Sequence, residues 1–263
     1  MSSFQEASAI FDTTFDTQEY FESLSAEFAK NSLIESIESR QTPLLFLLGE
    51  PGVGKTYLLH MLQQRFPDTT ILFATDPFST PEALLHFLLQ EHVSGNETTL
   101  SRLKESAIAR FKEQSNHLII IDEAQLLDER VLEFIRLLTD TGHFYFLLAM
   151  HQEDGMKIVK KRHFASRNHR VITLGTLQNN EIEQYIQAQL LAHSLGNLSD
   201  LFQNKQIRAI EHFSQGNFRL VKQMLKHIFS IMDYAKNHGH PRYATPTSCV
   251  ITMAAIDLGI IDA

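Results

Sequence analysis

One short segment combines the residue types that bind phosphate groups: residues 49–56 read Gly-Glu-Pro-Gly-Val-Gly-Lys-Thr. Its glycines let the backbone curl so that successive N–H groups point at one anion, and a helix that begins there adds the positive end of its dipole. Lys55 can reach the β- and γ-phosphates of a nucleotide, which also makes it a catalytic candidate, and the Thr56 hydroxyl can ligate Mg²⁺. The segment therefore predicts a site for a nucleoside triphosphate. Its expected binding residues are Gly49, Glu50, Pro51, Gly52, Val53, Gly54, Lys55, Thr56 and Tyr57.

A second segment places two acids directly after an apolar run. The aliphatic residues 118–121 predict a buried strand, and Asp122 and Glu123 follow at its carboxyl end, where parallel α/β sheets bind their ligands. We expect Asp122 to hold Mg²⁺ together with Thr56, and Glu123 to act as the general base that polarises a water for attack on the γ-phosphate. Alone, such a segment is more often a buried strand that ends in a solvated acidic turn. Because a phosphate loop precedes it, ATP hydrolysis is the better interpretation.

Alternating strands and helices must position these residues. Runs rich in Ile, Leu, Phe or Val predict strands at 44–48, 70–74, 117–121, 143–149 and 170–174. Helical patterns lie between them, at 55–65, 82–92, 98–114 and 129–139. After about residue 177 the strand pattern stops, and helices are predicted from 181, at 204–214, at 217–236 and near 247–258. The expected fold class is α/β: a three-layer αβα core with a mostly parallel sheet, followed by a small all-helical lid domain.

Three domains are expected from this pattern: an acidic N-terminal extension at 1–39, a nucleotide-binding core at 40–176 and a helical lid at 177–263. The extension holds eight acids and only Lys30 as a base. We expect most of its aromatic residues to make core contacts or to fasten it to the α/β domain. These residues are Phe4, Phe11, Phe15, Tyr20, Phe21 and Phe28.

Composition restricts the class of protein. The chain has 263 residues, 43% of them hydrophobic, and a formal net charge of −8, which is unfavourable for strong non-specific DNA binding unless a local basic patch exists. The single cysteine, Cys249, excludes an internal disulfide and a multi-cysteine metal site, and it fits a reducing compartment. Apolar runs are too short for a membrane helix, which needs about 18 residues. We therefore expect a cytoplasmic chain without direct membrane insertion.

The loop, the Asp122-Glu123 pair followed by Ala124-Gln125, and the helical lid together resemble an AAA+ ATPase. More narrowly, the chain is similar to the group that contains the general secretion pathway A-type ATPases and the ATP-dependent transposition regulators. The resemblance spans roughly residues 40–235. It implies ATP and Mg²⁺ as cofactors, ATP hydrolysis, and a homo-oligomeric ring or filament when ATP is bound.

The resemblance also implies two sensor residues. His151 follows Met150 where the group usually has a polar residue after glycine, so His151 is the candidate that reads the γ-phosphate or orients water; the alternative is a histidine in a strand-end loop. Residues 216–219, Gly-Asn-Phe-Arg, are similar to the lid signature of glycine, any residue, proline and arginine. Arg219 is therefore the candidate second sensor, and the alternative is a solvated arginine.

A third position implied by the resemblance is Arg167, which precedes the last core strand as the arginine finger of the group does. Such a finger stabilises transition-state charge at a neighbouring subunit, and Arg170 is the second candidate. Both belong to a basic segment without an intervening acid: Lys157, Lys160, Lys161, Arg162, Arg167 and Arg170. Other interpretations stay open for this basic segment, namely a contact with the DNA backbone, a docking surface for the acidic N-terminal segment of the next protomer, and ordinary solvated surface.

The predicted function is Mg²⁺-dependent ATP binding and hydrolysis that drives self-assembly and the remodelling of a partner. One hypothesis is an assembly ATPase of type II secretion, type IV pilus or DNA-uptake machinery, peripheral to the inner membrane through a membrane-associated protein partner. The alternative is an ATP-dependent regulator of transposition that binds duplex DNA. A further alternative is a nucleotide-gated switch with little turnover, against which Glu123 argues. The net charge and the lack of a recognisable DNA-binding module favour the first hypothesis, and the basic segment favours the second.

Overall fold

Five strands form one parallel sheet in the computed structural model, which describes residues 2–12, 21–90, 99–114 and 116–262. In chain order they are β1 (Leu44–Leu48), β2 (Thr70–Ala74), β3 (His117–Ile121), β4 (Phe146–Met150) and β5 (His169–Thr173). Their order across the sheet is β2-β3-β4-β1-β5. The predicted α/β class with a parallel sheet is confirmed, although β4 begins three residues later than predicted and β5 lies one residue earlier.

Burial follows position in the sheet. All five residues of each central strand, β1, β3 and β4, are buried, whereas β2 and β5 at the edges are partly exposed. Continuous apolar runs are typical of parallel strands that are covered on both faces. The pairing of β1 with β5 and β4 is in register, with Leu44 opposite His169 and Phe146, and so these strands begin and end together.

Helices precede, separate and follow the strands. In the first part of the chain they are α1 (Ser3–Ile10), α2 (Leu24–Ser39), α3 (Lys55–Arg65), α4 (Pro81–Leu89), α5 (Leu100–Glu113) and α6 (Glu129–Thr139). After β4 come α7 (Gln152–Val159), α8 (Arg162–Ala165), α9 (Asn179–Ala192), α10 (Asn204–Ser214), α11 (Phe218–Asn237) and α12 (Ser248–Asp257). Short 3-10 helices lie at Ala124–Leu126, Gly196–Leu201 and Pro241–Tyr243. Residues 91, 92 and 98 of two predicted helices lie outside the described residues.

The helix starts have local causes in the sequence. Thr80 caps α4 by accepting a hydrogen bond from the Ala83 amide at 3.2 Å, and Pro81 occupies the first turn, where its missing N–H is not needed. Asp128 caps α6 in the same way, through the Arg130 amide at 2.8 Å. Helix α6 then buries its apolar face in the core and leaves a polar face outside. No helix among the described residues is both long and apolar enough to cross a bilayer.

Two compact units make up the chain. An α/β unit comprises Ala26–Pro51 and Lys55–Leu174, and a helical unit comprises Met1–Ser25, Gly52–Gly54 and Gly175–Ala263. The segment predicted as one N-terminal extension is therefore shared between the two units, with α1 in the helical unit and most of α2 in the α/β unit.

Helix α1 packs against α11 in the helical unit. The Phe11 ring stacks on Phe229 with a centroid distance of 5.7 Å, and Phe4 lies 6.4 Å from the same ring. Lys226 donates a hydrogen bond to Asp12 at 2.8 Å. Phe4 and Phe11 thus make core contacts, as predicted, within the helical unit. Phe28 is exposed, Phe21 packs at the edge of the helical core, and Phe15 and Tyr20 lie outside the described residues.

Candidate active site

The phosphate loop connects β1 to α3, as the sequence predicts. Two of its glycines have positive φ angles, +85° at Gly52 and +106° at Gly54, which side chains with a Cβ rarely adopt. The Lys55 ammonium donates hydrogen bonds to the carbonyl oxygens of Gly49 at 2.9 Å and Glu50 at 3.2 Å, and the residue is only 5% exposed. These bonds hold a buried cation against the curve of the loop, which suits an anionic ligand.

The two predicted metal ligands lie together at the carboxyl end of the sheet. The Thr56 hydroxyl donates to Asp122 Oδ2 at 2.6 Å, and Asp122 is 5% exposed. The other oxygen of Asp122 accepts from the Glu123 amide at 2.9 Å, and the Asp122 amide itself donates to the Ala74 carbonyl on β2. A hydroxyl and a carboxylate are the oxygen ligands that Mg²⁺ prefers, and Mg²⁺ commonly takes few protein ligands because it keeps waters and substrate phosphates. The donor set therefore fits Mg²⁺.

Glu123 has an unusual backbone conformation. Its φ of +49° and ψ of +34° lie in the left-handed region, which costs about 1–3 kcal/mol for a residue other than glycine and is found most often at functional sites. The side chain is 41% exposed, and its Oε2 lies 3.3 Å from His151 Nε2. The strained turn thus directs the predicted general base out of the sheet and towards the predicted first sensor.

Gln125 is a residue for which the sequence predicts no role. Its side-chain nitrogen donates to Glu123 Oε2, and its side-chain oxygen accepts from the His151 amide at 3.2 Å. The amide therefore links the end of β3 to the end of β4 and orients the Glu123 carboxylate. Only the Asp-Glu-Ala-Gln string could have indicated it, because the neighbouring position of His151 depends on the pairing of β3 with β4.

Arg219 lies in the first turn of α11 in the helical unit. Its backbone N–H donates to the Gly52 carbonyl at 3.0 Å, and that glycine belongs to the same unit. A Cβ on Gly52 would lie 2.7 Å from Asn217 Oδ1 and 3.0 Å from the Arg219 Cβ, so only glycine fits there. The role of Arg219 as a second sensor stays a prediction.

The basic segment contacts acids of the same chain. Its ion pairs include Lys157 with Glu153 at 2.9 Å, Lys161 with Glu129 at 2.5 Å, Arg167 with Asp140 at 3.2 Å and Arg170 with Glu35 at 2.8 Å. The hydrogen bond from Lys161 lowers the pKa of Glu129, and the bond to Glu153 raises the pKa of Lys157. One acid of the predicted extension, Glu35, thus contacts this segment within one chain.

Arg167 and the phosphate loop lie at opposite ends of the parallel strands β1 and β5. The loop follows Leu48 at the carboxyl end of β1, and Arg167 precedes His169 at the amino end of β5. Because β1 and β5 run parallel and in register, the two points are separated by a full strand, about 16 Å for five residues. Arg167 therefore cannot reach the phosphate loop of its own chain.

Comparison with known proteins agrees with this geometry. Residues 38–154 match the model of the AAA domain family. General secretion pathway protein A of Aeromonas hydrophila is 25% identical over 191 residues, which cover 67% of this chain and 35% of that protein. The chain therefore spans about a third of the length of this relative.

Solved structures with a similar fold include Cdc6p from Pyrobaculum aerophilum, with a TM-score of 0.59 at 13% identity over 89% of this chain and 67% of that one. The ORC2 protein of Aeropyrum pernix has a TM-score of 0.56 at 13% identity over 94% and 70% of the two chains. The RuvB Holliday junction branch migration motor of Thermotoga maritima has a TM-score of 0.54 at 13% identity over 89% and 68%. Residues 38–154 are thus similar to AAA domains, and the parallel sheet with its phosphate loop and acidic strand end, followed by a helical C-terminal region, has the fold of the AAA+ P-loop ATPases.

Proposed function

We propose that this chain binds and hydrolyses ATP with Mg²⁺, and that it does so in homo-oligomers in which one copy completes the active site of the next. The buried Lys55 and the glycine loop support triphosphate binding, and the 2.6 Å contact between Thr56 and Asp122 supports a Mg²⁺ site. Mg²⁺ bound there would neutralise charge on the phosphate oxygens.

Each residue of the phosphate loop and the strand ends has a separate role in the proposed reaction. Lys55 binds the phosphates, and Glu123 accepts the proton of the attacking water. Gln125 and His151 hold the Glu123 carboxylate in place, the first through an amide hydrogen bond and the second through a contact at 3.3 Å. His151 can also donate to the γ-phosphate as a first sensor, and Arg219 serves as the second sensor in this proposal.

The position of Arg167 is the observation that supports assembly. Its side chain is half exposed, and the residue precedes the amino end of β5, whereas the loop of its own chain follows the carboxyl end of the neighbouring β1. A finger in that place can serve only the phosphate loop of another copy. An isolated copy should therefore hydrolyse ATP slowly, and assembly should activate it.

The proposal also includes the kind of partner that this chain remodels. We assign it to a secretion, pilus or DNA-uptake machine, on the similarity to general secretion pathway protein A, and place the chain in the cytoplasm beside a membrane-associated partner. The alternative, a regulator that binds duplex DNA, relies on the basic segment, in which at least four of the six Lys and Arg residues already contact carboxylates. These pairs lower the positive field that DNA binding needs.

A mixing experiment tests assembly and catalysis together. Glu123→Gln should bind ATP but turn it over about 10²–10⁴-fold more slowly, because the general base is lost. Arg167→Ala should be slower by about 10³-fold or more, because the finger is lost. A mixture of the two should recover activity, since the Glu123→Gln copy supplies an intact finger to the Arg167→Ala copy, which keeps its base.

The outcomes separate the parts of the proposal. The measurement is steady-state phosphate release against total protein concentration and mixing ratio. Activity that rises more steeply than protein concentration, together with recovery on mixing, supports a shared active site. Equal activity per chain at every dilution, with Arg167→Ala as active as the unmodified protein, would show that each copy works alone.

A further inference from the structure

One face of α6 carries acids that meet the basic segment. Glu129, Glu133 and Asp140 are spaced by four and seven residues, which places them on one side of the helix and its end. Lys161 contacts Glu129 at 2.5 Å, and Arg167 contacts Asp140 at 3.2 Å. The acids that neutralise this segment therefore come in part from a single helix.

Arg136 fixes the last of these acids. Its side chain is 10% exposed, and its Nε and Nη2 atoms donate to Glu133 Oε1 at 2.9 and 2.6 Å. Its Nη1 donates to Asp140 Oδ2 at 2.7 Å. These bonds raise the pKa of Arg136 and lower that of Glu133, so both stay charged near neutral pH. An almost fully buried arginine that makes three hydrogen bonds to two acids thus holds the Asp140 carboxylate in one orientation.

The same oxygen of Asp140 reaches the candidate finger. Oδ2 lies 2.7 Å from Arg136 Nη1 and 3.2 Å from Arg167 Nη2. The Arg167 side chain is 50% exposed, so its contact with Asp140 leaves about half of the side chain accessible to solvent. One carboxylate oxygen therefore joins a fixed arginine to an arginine that could act on another molecule.

We infer that Asp140 is a positioning residue for Arg167, which it orients for the phosphate groups bound by a neighbouring copy. This inference rests on the proposed function, because only a finger that acts between copies would use it. Arginine is a long side chain with many rotamers, and a displacement of about 1 Å in a catalytic group can lower a rate by about 10²-fold. Without the carboxylate, Arg167 would also be repelled by the nearby charge of Arg136.

Arg170 is held differently, and the difference favours Arg167 as the finger. Its Nη1 donates to Glu35 at 2.8 Å and to the Ser36 hydroxyl at 3.0 Å, both on α2. These bonds fasten the edge strand β5 to a helix of the same unit. Arg170 would have to break them to reach another copy, whereas Arg167 can keep Asp140 while its exposed side acts.

The test changes Asp140 only in the copy that donates the finger. An Arg167→Ala copy is the acceptor, and the donor carries Glu123→Gln either alone or with Asp140→Asn. The donor cannot hydrolyse ATP, so the recovered turnover reports how well its finger works. We expect the Asp140→Asn donor to restore about tenfold less turnover at saturating ATP, with an unchanged KM for the acceptor and unchanged assembly by sedimentation.

Glu129→Gln in the donor is the matched control, because it removes an acid from the same face of α6 without contacting Arg167. It should restore turnover as fully as Glu123→Gln alone. If Asp140→Asn lowers the melting temperature of the donor into the assay range, Asp140→Glu replaces it, since that variant keeps the charge beside Arg136 but moves the carboxylate. Its recovery should fall between those of Asp140→Asn and the unmodified donor.

Two results would overturn the inference, and they differ from each other. Full recovery with a folded Asp140→Asn donor would show that Asp140 does not position the finger, and the proposed function would stand. No recovery with the Glu123→Gln donor itself, although mixed oligomers form, would remove the trans finger and with it both proposals.

Discussion

Two charged regions of the α/β unit hold their charges in different ways. At the carboxyl ends of the strands, Lys55 and Asp122 are almost fully buried, and they bond to loop carbonyls and to the Thr56 hydroxyl. In the basic segment, the side chains of the four paired cations are exposed by a third to two thirds, and each cation is paired with a carboxylate. Removing charges from water is expensive, whereas exposed ion pairs contribute only about 0–1 kcal/mol each.

The burial of the charges corresponds to a different function in each region. A buried lysine and a buried carboxylate, held close to strained backbone, reduce stability unless a ligand compensates, so their persistence indicates a binding site. The basic segment needs no such ligand, because its pairs are local and screened by salt. We therefore expect substitutions in the first region to abolish function and those in the second to have graded effects, except where a side chain acts on another copy.

The largest effect is expected from Lys55→Ala. Hydrogen bonds to charged groups contribute about 1.5–3 kcal/mol each, and the ammonium has several donors for phosphate oxygens. Loss of two such bonds corresponds to an affinity for ATP that is lower by about 10²-fold or more. Isothermal titration with ATP and Mg²⁺ measures it.

Lys160→Ala is the matched control, since Lys160 is an exposed lysine of the basic segment. It should leave the affinity for ATP unchanged. Tight ATP binding by Lys55→Ala would contradict the assignment of the phosphate loop, and equal losses in both variants would contradict the contrast between the two regions.

The sequence predicts these two regions unequally well, and the reason is physical. The elements β1, α3 and β3 each follow from a local pattern of residues, so their bounds at 44–48, 55–65 and 117–121 could be predicted to the residue. The acids that pair with the basic segment come from distant positions such as Glu35 and Asp140, and only the fold brings them there. A run of like charges in the sequence therefore does not by itself predict a surface of that charge.

Other differences have the same origin. The strand predicted at 143–149 begins only at Phe146, because its partner Leu44 on β1 is the first residue there to pair, while Phe144 is buried without strand pairing. The sequence pattern does not predict helix α2, because alanines and serines form much of its buried face and weaken the apolar periodicity. Gln125 was missed because its partners are defined by the adjacency of β3 and β4.

Substitutions in the basic segment should have a smaller effect, which is measured as the affinity for duplex DNA. With at least four of the six cations of the basic segment paired, the chain should show no binding that depends on a non-hydrolysable ATP analogue at physiological salt, as measured by fluorescence anisotropy with Mg²⁺ over a salt series. Glu129→Gln should strengthen residual binding at low salt, because it frees Lys161, and Lys160→Ala should weaken it slightly.

Analogue-dependent binding that weakens steeply with salt would show that the ion pairs of the basic segment do not prevent DNA binding. The ion pairs would then open so that the cations bind DNA phosphates, and the DNA would release counterions. The logarithm of the binding constant would fall with the logarithm of the salt concentration at a slope of about 0.9 per neutralised phosphate. The DNA-binding regulator would then replace the secretion hypothesis, and the basic segment would be its contact surface.

The smallest effect is expected from Arg170→Ala, and it distinguishes the two arginines most directly. The pair with Glu35 is 40% and 69% exposed on its two sides, so its loss should lower the free energy of unfolding by about 0.2–1 kcal/mol. That corresponds to a fall in melting temperature of at most about 4 °C, measured by calorimetry, with ATP turnover unchanged. Glu35→Gln should give a somewhat smaller loss, because Arg170 keeps its bond to the Ser36 hydroxyl, and the double variant should lose little more than Arg170→Ala because the ion pair is already absent. Arg167→Ala should show the opposite pattern, with turnover lost and stability nearly kept. If instead a folded Arg170→Ala donor failed to restore turnover in the mixing experiment, then Arg170 would be the finger, its bonds to α2 would have to open on assembly, and the contact between Asp140 and Arg167 would be one more surface ion pair.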